Sequence, residues 1–159
     1  MTITVICVGK LKEKYWTAAV SEYSKRLSRF CRLQVIEVAD EPAPEPVRAG
    51  DRERILSKEA ERIRKKIPAG SHVTALAVDG KPFSSEEFSA WMDGLRVSGI
   101  SSLTLLIGGS LGIHEDLLRE SDMRLSFSRM TFPHQLMRVI TLEQIYRAFK
   151  ISSGEPYHK

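Results

Sequence analysis

The sequence predicts an α/β fold, a parallel sheet with helices on both faces, built as a single domain over residues 1–159. Three observations predict it. Apolar, β-branched runs alternate along the chain with segments of helical periodicity. Those runs are apolar at almost every position, as strands covered on both faces must be. The chain is also the length of one domain, with no internal repeat or low-complexity stretch.

Residues 2–8 (TITVICV) are β-branched and stop at Gly9, which predicts a buried first strand. Residues 13–30 predict a long helix, with Trp16, Val20, Tyr23 and Leu27 at three- and four-residue steps. Residues 33–38 predict a second strand. Residues 39–50 hold Pro42, Pro44 and Pro46 among acidic residues, which excludes helix and central strand and predicts a surface linker. Residues 51–67 predict a charged helix closed by Pro68 and Gly70. Residues 72–78 (HVTALAV) predict a third buried strand, ended by an Asp79-Gly80 turn. Ser84 and Glu87 have capping-box spacing and predict the next helix start. Residues 102–107 predict a fourth buried strand, 113–122 a short helix and 123–128 a fifth strand. Pro133 predicts the start of a helix running to about Lys150, and residues 151–159 form a tail.

Composition removes whole classes. Hydrophobic residues at 42% and charged residues at 28% exclude collagen, coiled coil, disordered tail and disulfide scaffold. No apolar run approaches the roughly 18 residues of a membrane span. A strand-like start without a signal-peptide pattern predicts a cytoplasmic protein. The net charge of +4 biases the chain mildly toward anionic partners. Residues 1–38 hold seven of its basic residues, either a solvated helix face or part of a binding surface. Cys7 and Cys31 lack any second ligand pair and read as reduced thiols, so no metal site is expected.

In open parallel sheets, ligands bind beyond the carboxyl ends of strands, where the strand order reverses. That directs attention to the loops after Val78, Ile107 and Ser128. Gly108-Gly109-Ser110-Leu111-Gly112 lets backbone N–H groups approach a ligand, or is a tight strand–helix turn with none. It matches neither the dinucleotide fingerprint nor the P-loop. In residues 125–133 (LSFSRMTFP), Ser126, Ser128 and Thr131 alternate with bulky residues. Such a segment can wrap an adenine, or be an edge strand with hydroxyls facing water. Tyr157, His158 and Lys159 offer stacking, a group titrating near neutrality and a phosphate contact, on what is otherwise a plain terminus. His134 and Arg138, one turn apart, can face a ligand, or His134 can cap the helix. His72 and His114 read as structural. The last helix is apolar on two sides, with Glu143, Arg147 and Lys150 as its polar strip. A sheet covers one side only, which predicts a homodimer built partly on this helix.

Val78-Asp79-Gly80-Lys81, Leu106 through Gly112, Leu125 through His134, Arg138-Val139, Glu143 through Ala148 and Pro156-Tyr157-His158 form an ordered series. By that series the chain resembles the bacterial ribosomal RNA large-subunit methyltransferase H family, over its whole length. The resemblance implies a SPOUT-type fold with a C-terminal trefoil knot and a dimer. It further implies methyl transfer from S-adenosylmethionine to N3 of pseudouridine 1915 in helix 69 of 23S rRNA. Carried over by position, Leu76, Gly108, Gly109 and Phe127, Ser128, Arg129, Met130, Thr131 and Phe132 would bind the cofactor, with Leu125 and Pro133 beside them.

For such a reaction the protein must align N3 with the methyl–sulfur bond and remove the imide proton. The expected catalytic residues are His158 as base or positioning group, Tyr157 as platform, and Arg147 with Lys159 toward phosphate or a base carbonyl. The tail is expected to complete the site across the dimer. Lys10, Lys12, Lys25 and Arg29 are expected to dock the assembled ribosome. Two rivals stand beside this reading. One is a SPOUT enzyme with another RNA acceptor; the other is a non-enzymatic nucleotide- or RNA-binding factor.

Overall fold

The computed structural model describes residues 1–158. Strands β1 (Thr2–Val8), β2 (Arg32–Val38), β3 (His72–Pro82), β4 (Ser102–Ile107) and β5 (Met123–Ser126) form one sheet. Its order is β2-β1-β4-β3-β5, and every neighbouring pair is parallel. The helices are α1 (Lys14–Leu27), α2 (Ala49–Arg64), α3 (Ser85–Val97), α4 (Glu115–Glu120) and α5 (His134–Ser152).

Period-two geometry sends alternate side chains of the central strands to opposite faces. Ile3, Val5 and Cys7 of β1 and Leu103, Leu105 and Ile107 of β4 face α1, α3 and α5. Ile6, Val8 and Leu106 face Ala60 and Ile63 of α2 and Leu117 of α4. Each such Ile, Leu or Val contributes roughly 1.5–3 kcal/mol by leaving water. Helix α3 starts as its sequence dictates: the Ser84 hydroxyl accepts from the Glu87 N–H, and the Glu87 carboxylate accepts from the Ser84 N–H.

Three local expectations are corrected. Asp79-Gly80 does not end β3, which continues to Pro82 through an irregularity between Leu76 and Lys81. A Cβ on Gly80 would lie 2.6 Å from the Leu125 backbone, so this glycine serves close packing against β5. The excursion leaves Val78 52% exposed, contrary to a strand buried to its end. Pro133 sits just outside α5 in extended backbone, and the helix outruns Lys150 to Ser152. Finally, no residue of α5 from His134 to Lys150 is exposed. Its second apolar side packs on α1 and α3 of its own chain: Tyr146 meets Tyr23 edge-on, and Phe149 stacks on Phe30. Leu136, Val139 and Ile140 take no part in that packing and stay half-buried.

Candidate functional site

The carboxyl ends of β3, β4 and β5 surround a cavity of about 740 Å³. That volume is in the range of sites for small organic ligands. Its floor is set by Gly108, where a Cβ would fall 2.4 Å from the Gly112 carbonyl oxygen. The Gly112 N–H donates to the Gly109 carbonyl at 3.0 Å, and Gly112 takes a left-handed φ of 87°. Arg52 of α2 donates to the Leu111 carbonyl at 2.9 Å and itself lines the cavity.

The opposite wall is residues 125–133. Here the Ser126 hydroxyl donates to the Ser128 carbonyl at 3.0 Å, and the Ser128 hydroxyl accepts from the Met130 N–H at 2.9 Å. Both hydroxyls therefore brace the fold of the loop. Leu76, Gly108, Gly109, Phe127, Ser128, Met130, Thr131 and Phe132 all line it, as do Leu125 and Pro133. Arg129 does not: it points outward and is exposed. The cavity thus combines a glycine backbone and apolar walls with polar side chains that include Arg52, Glu115, His134 and Gln135, and its volume suits an adenosine-sized group. Among the described residues, no cluster of His, Cys, Asp or Glu could hold a metal, and no helix is long and apolar enough to cross a membrane.

Arg147, Tyr157 and His158 come together elsewhere. Glu143 accepts from Arg147 at 2.6 Å and from the Tyr157 hydroxyl at 3.3 Å. The Arg147 guanidinium lies 4.7 Å from the Tyr157 ring centre. Burial, then Tyr23 and Glu143, pushes the Tyr157 phenol up to about 12, so it stays a donor. His158 lies 3.3 Å from Arg147 through Nδ1 and 2.6 Å from Glu86 through Nε2. An arginine can only donate, so Nδ1 accepts and Nε2–H donates to Glu86. The expected free tail is instead docked on its own α3 and α5, and none of these three residues lines the cavity. Lys159 lies outside the described residues.

Arg138 does not face a ligand. It is 1% exposed and donates to Glu37 at 2.7 Å, to the Val8 carbonyl at 2.9 Å and to the Gly9 carbonyl at 2.7 Å. Its role as a clasp between α5 and β1 was hidden because Glu37 is far away in sequence. His134 does line the cavity, with Nδ1 buried and unpartnered. Burial, then the Arg138 charge, lowers its pKa, and Asp40 opposes them. His114 caps α4 by accepting from the Asp116 N–H, and His72 packs beside Trp91, both structural as expected. Both cysteines are free; burial pushes Cys7 up to about 12 and Cys31 up to about 11, so neither is a thiolate near neutrality.

The four expected docking residues lie toward opposite ends of α1. Lys10 and Lys12 precede α1, whereas Lys25 and Arg29 lie at its far end. A helix of 14 residues separates them by about 20 Å.

A family model described as "Predicted SPOUT methyltransferase" matches residues 1–158. The chain is 54% identical over 159 residues to "Ribosomal RNA large subunit methyltransferase H" of Clostridioides difficile (strain 630), covering 100% of both. The same name belongs to relatives in Bifidobacterium adolescentis, 55% identical, and in Streptococcus pyogenes serotype M18, 52% identical, again with 100% of both chains covered. Among solved structures, a methylase family protein from Haemophilus influenzae Rd KW20 aligns with 99% of this chain and 70% of its own. The TM-score is 0.52 at 13% identity, a likeness of fold alone.

Proposed function

The chain belongs to the SPOUT methyltransferase family, and from that premise we propose that it methylates N3 of the helix 69 pseudouridine of 23S rRNA with S-adenosylmethionine. The observation that carries this reading is the cavity at the sheet's carboxyl edge, which gathers all the expected cofactor residues but Arg129. The relatives' name supplies the ribosomal RNA substrate.

The residues present fit the cofactor. Closure of Gly108 on Gly112 leaves room for backbone donors, and Leu76, Phe127 and Phe132 supply apolar walls for a purine and ribose. When bound, S-adenosylmethionine supplies a methyl group already activated by its sulfonium. What this chain must do is orient N3, remove its proton and exclude water. His158 in the Nε2–H tautomer has a basic nitrogen at Nδ1, which becomes available when Arg147 turns toward the substrate. Arg147 and Lys159 then bind a base carbonyl or phosphate, and Tyr157 supports the base.

These groups stand apart from the cavity of their own chain. We therefore propose a homodimer in which each tail completes the partner's cavity. Leu136, Val139 and Ile140 on α5 are only half-buried and support such an interface. The family's trefoil knot, threaded near the C-terminus, and action in the cytoplasm belong to the same proposal. The test is methyl transfer from labelled S-adenosylmethionine to ribosomes, with the modified nucleoside mapped by mass spectrometry. Label at another nucleoside, or none, would overturn the reading.

A further inference from the structure

We propose that the loop joining β1 to α1 docks the phosphate backbone of the RNA, and that buried Arg138, through its bonds to Gly9 and to exposed Glu37, holds this loop at the mouth of the cavity. The proposal rests on the RNA-directed function above and names the surface that function would use.

Three lysines stand within five residues: Lys10, Lys12 and Lys14, all exposed. Much of the basic surface elsewhere is paired, as in Arg62 with Glu41, Arg64 with Glu120 and Arg119 with Asp116. No carboxylate lies within ion-pair distance of these three lysines among the described residues. The loop's own acid is Glu13, and Asp40 faces Gly9, so the local balance stays positive. Tyr15 follows directly, 65% exposed, with its ring braced edge-on against Trp16 at 5.1 Å. Lysines that contact phosphates beside an open aromatic face make a platform for nucleic acid.

The loop is fastened at three points. The Gly9 N–H donates to the Val38 carbonyl at 2.8 Å. The Gly9 carbonyl accepts from Arg138 at 2.7 Å. The Leu11 N–H donates to Glu37 Oε2 at 2.8 Å, the same oxygen that accepts from Arg138 at 2.7 Å. A Cβ on Gly9 would lie 3.6 Å from His134 Cε1, and His134 lines the cavity. The basic segment therefore starts at the cavity wall, on a backbone fastened by the buried Arg138 guanidinium.

The test measures ribosome binding by co-sedimentation across a salt series, with S-adenosylhomocysteine affinity by calorimetry. K10E/K12E/K14E should lose at least tenfold in ribosome affinity. Its salt slope should fall by roughly two units, since each lost phosphate contact removes about 0.7–0.9. Y15A should lose less and keep the slope. K65E/K66E, exposed lysines beyond the end of α2, should stay within twofold, and cofactor-product affinity should hold throughout. A triple variant within twofold of the unmodified chain overturns the proposal. So does an equal loss in K65E/K66E, or lost S-adenosylhomocysteine affinity in the triple variant. If the unmodified chain binds ribosomes but transfers no methyl group, the reaction assignment fails while the salt slope still decides the docking surface.

Discussion

Glu86, at the start of α3, accepts from the His158 ring at 2.6 Å, tying the end of the chain to an element 72 residues earlier. The contact is exposed and competes with water, so the tail can leave it.

H158A should therefore lower methyl transfer by a factor of about 10² to 10⁴, the usual contribution of a general base. S-adenosylhomocysteine affinity should not change, because His158 does not line the cavity. Single-turnover kinetics with ribosomes check this. E86A should leave the rate within a few-fold, since it releases the tail without removing the imidazole.

Gly108→Ala tests the cavity floor. Its Cβ would meet the Gly112 carbonyl at 2.4 Å, which forces the loop apart. The expected cost is about 1–3 kcal/mol of stability, as for overpacking elsewhere. S-adenosylhomocysteine affinity should drop at least tenfold. Gly109→Ala meets side-chain atoms alone, a Val8 methyl at 3.1 Å and Glu59 Oε2 at 3.7 Å, and should be milder on both measures. Calorimetry and urea unfolding separate the two effects.

Arg138→Met tests the clasp. It strands the Val8 and Gly9 carbonyls and leaves Glu37 without its cation. Glu37 is exposed and rehydrates, so the cost lies in the stranded carbonyls, roughly 1–3 kcal/mol for each that stays unsatisfied. Urea unfolding measures it.

His134 predicts a pH dependence. Its pKa in the folded protein lies below the ordinary value of about 6.5. As pH falls through that ordinary value, the unfolded chain takes up the proton first. This contribution to stability is thus full above it and is lost toward the lower folded pKa. Thermal unfolding midpoints should decline from pH 7.5 to 5.5, and H134Q should flatten that decline.

How legible the sequence was depends on how far each determinant reaches. The strands β1 and β4 announce themselves because burial on both faces demands apolar residues throughout. The start of α3 is legible because Ser84 and Glu87 satisfy each other's backbone locally. Asp79-Gly80 misleads because its glycine answers to Leu125, a partner no local pattern displays. Arg138 misleads for the same reason: a lone arginine on an apolar helix suggests a ligand until Glu37 is placed beside it. The two-sided apolar pattern of α5 is visible in the sequence; α1 and α3 cover part of it, and Leu136, Val139 and Ile140 stay half-buried. Of the candidate site, the expected cofactor residues other than Arg129 line the cavity, whereas Arg52 and Glu115, brought in from α2 and α4, carry no local signal. The docking of Tyr157 and His158 on their own chain was not.

The bonds from Arg138 to Val8 and Gly9 join the first strand to residues 129 and 130 positions later. Contacts of such separation are slow to form, because loop closure must precede any reward. On the ribosome, the N-terminal strand emerges long before the arginine that finishes its edge. The ligand-binding end of the sheet is thus assembled last, after synthesis is nearly complete, and nascent fragments should show a formed central sheet without a competent pocket.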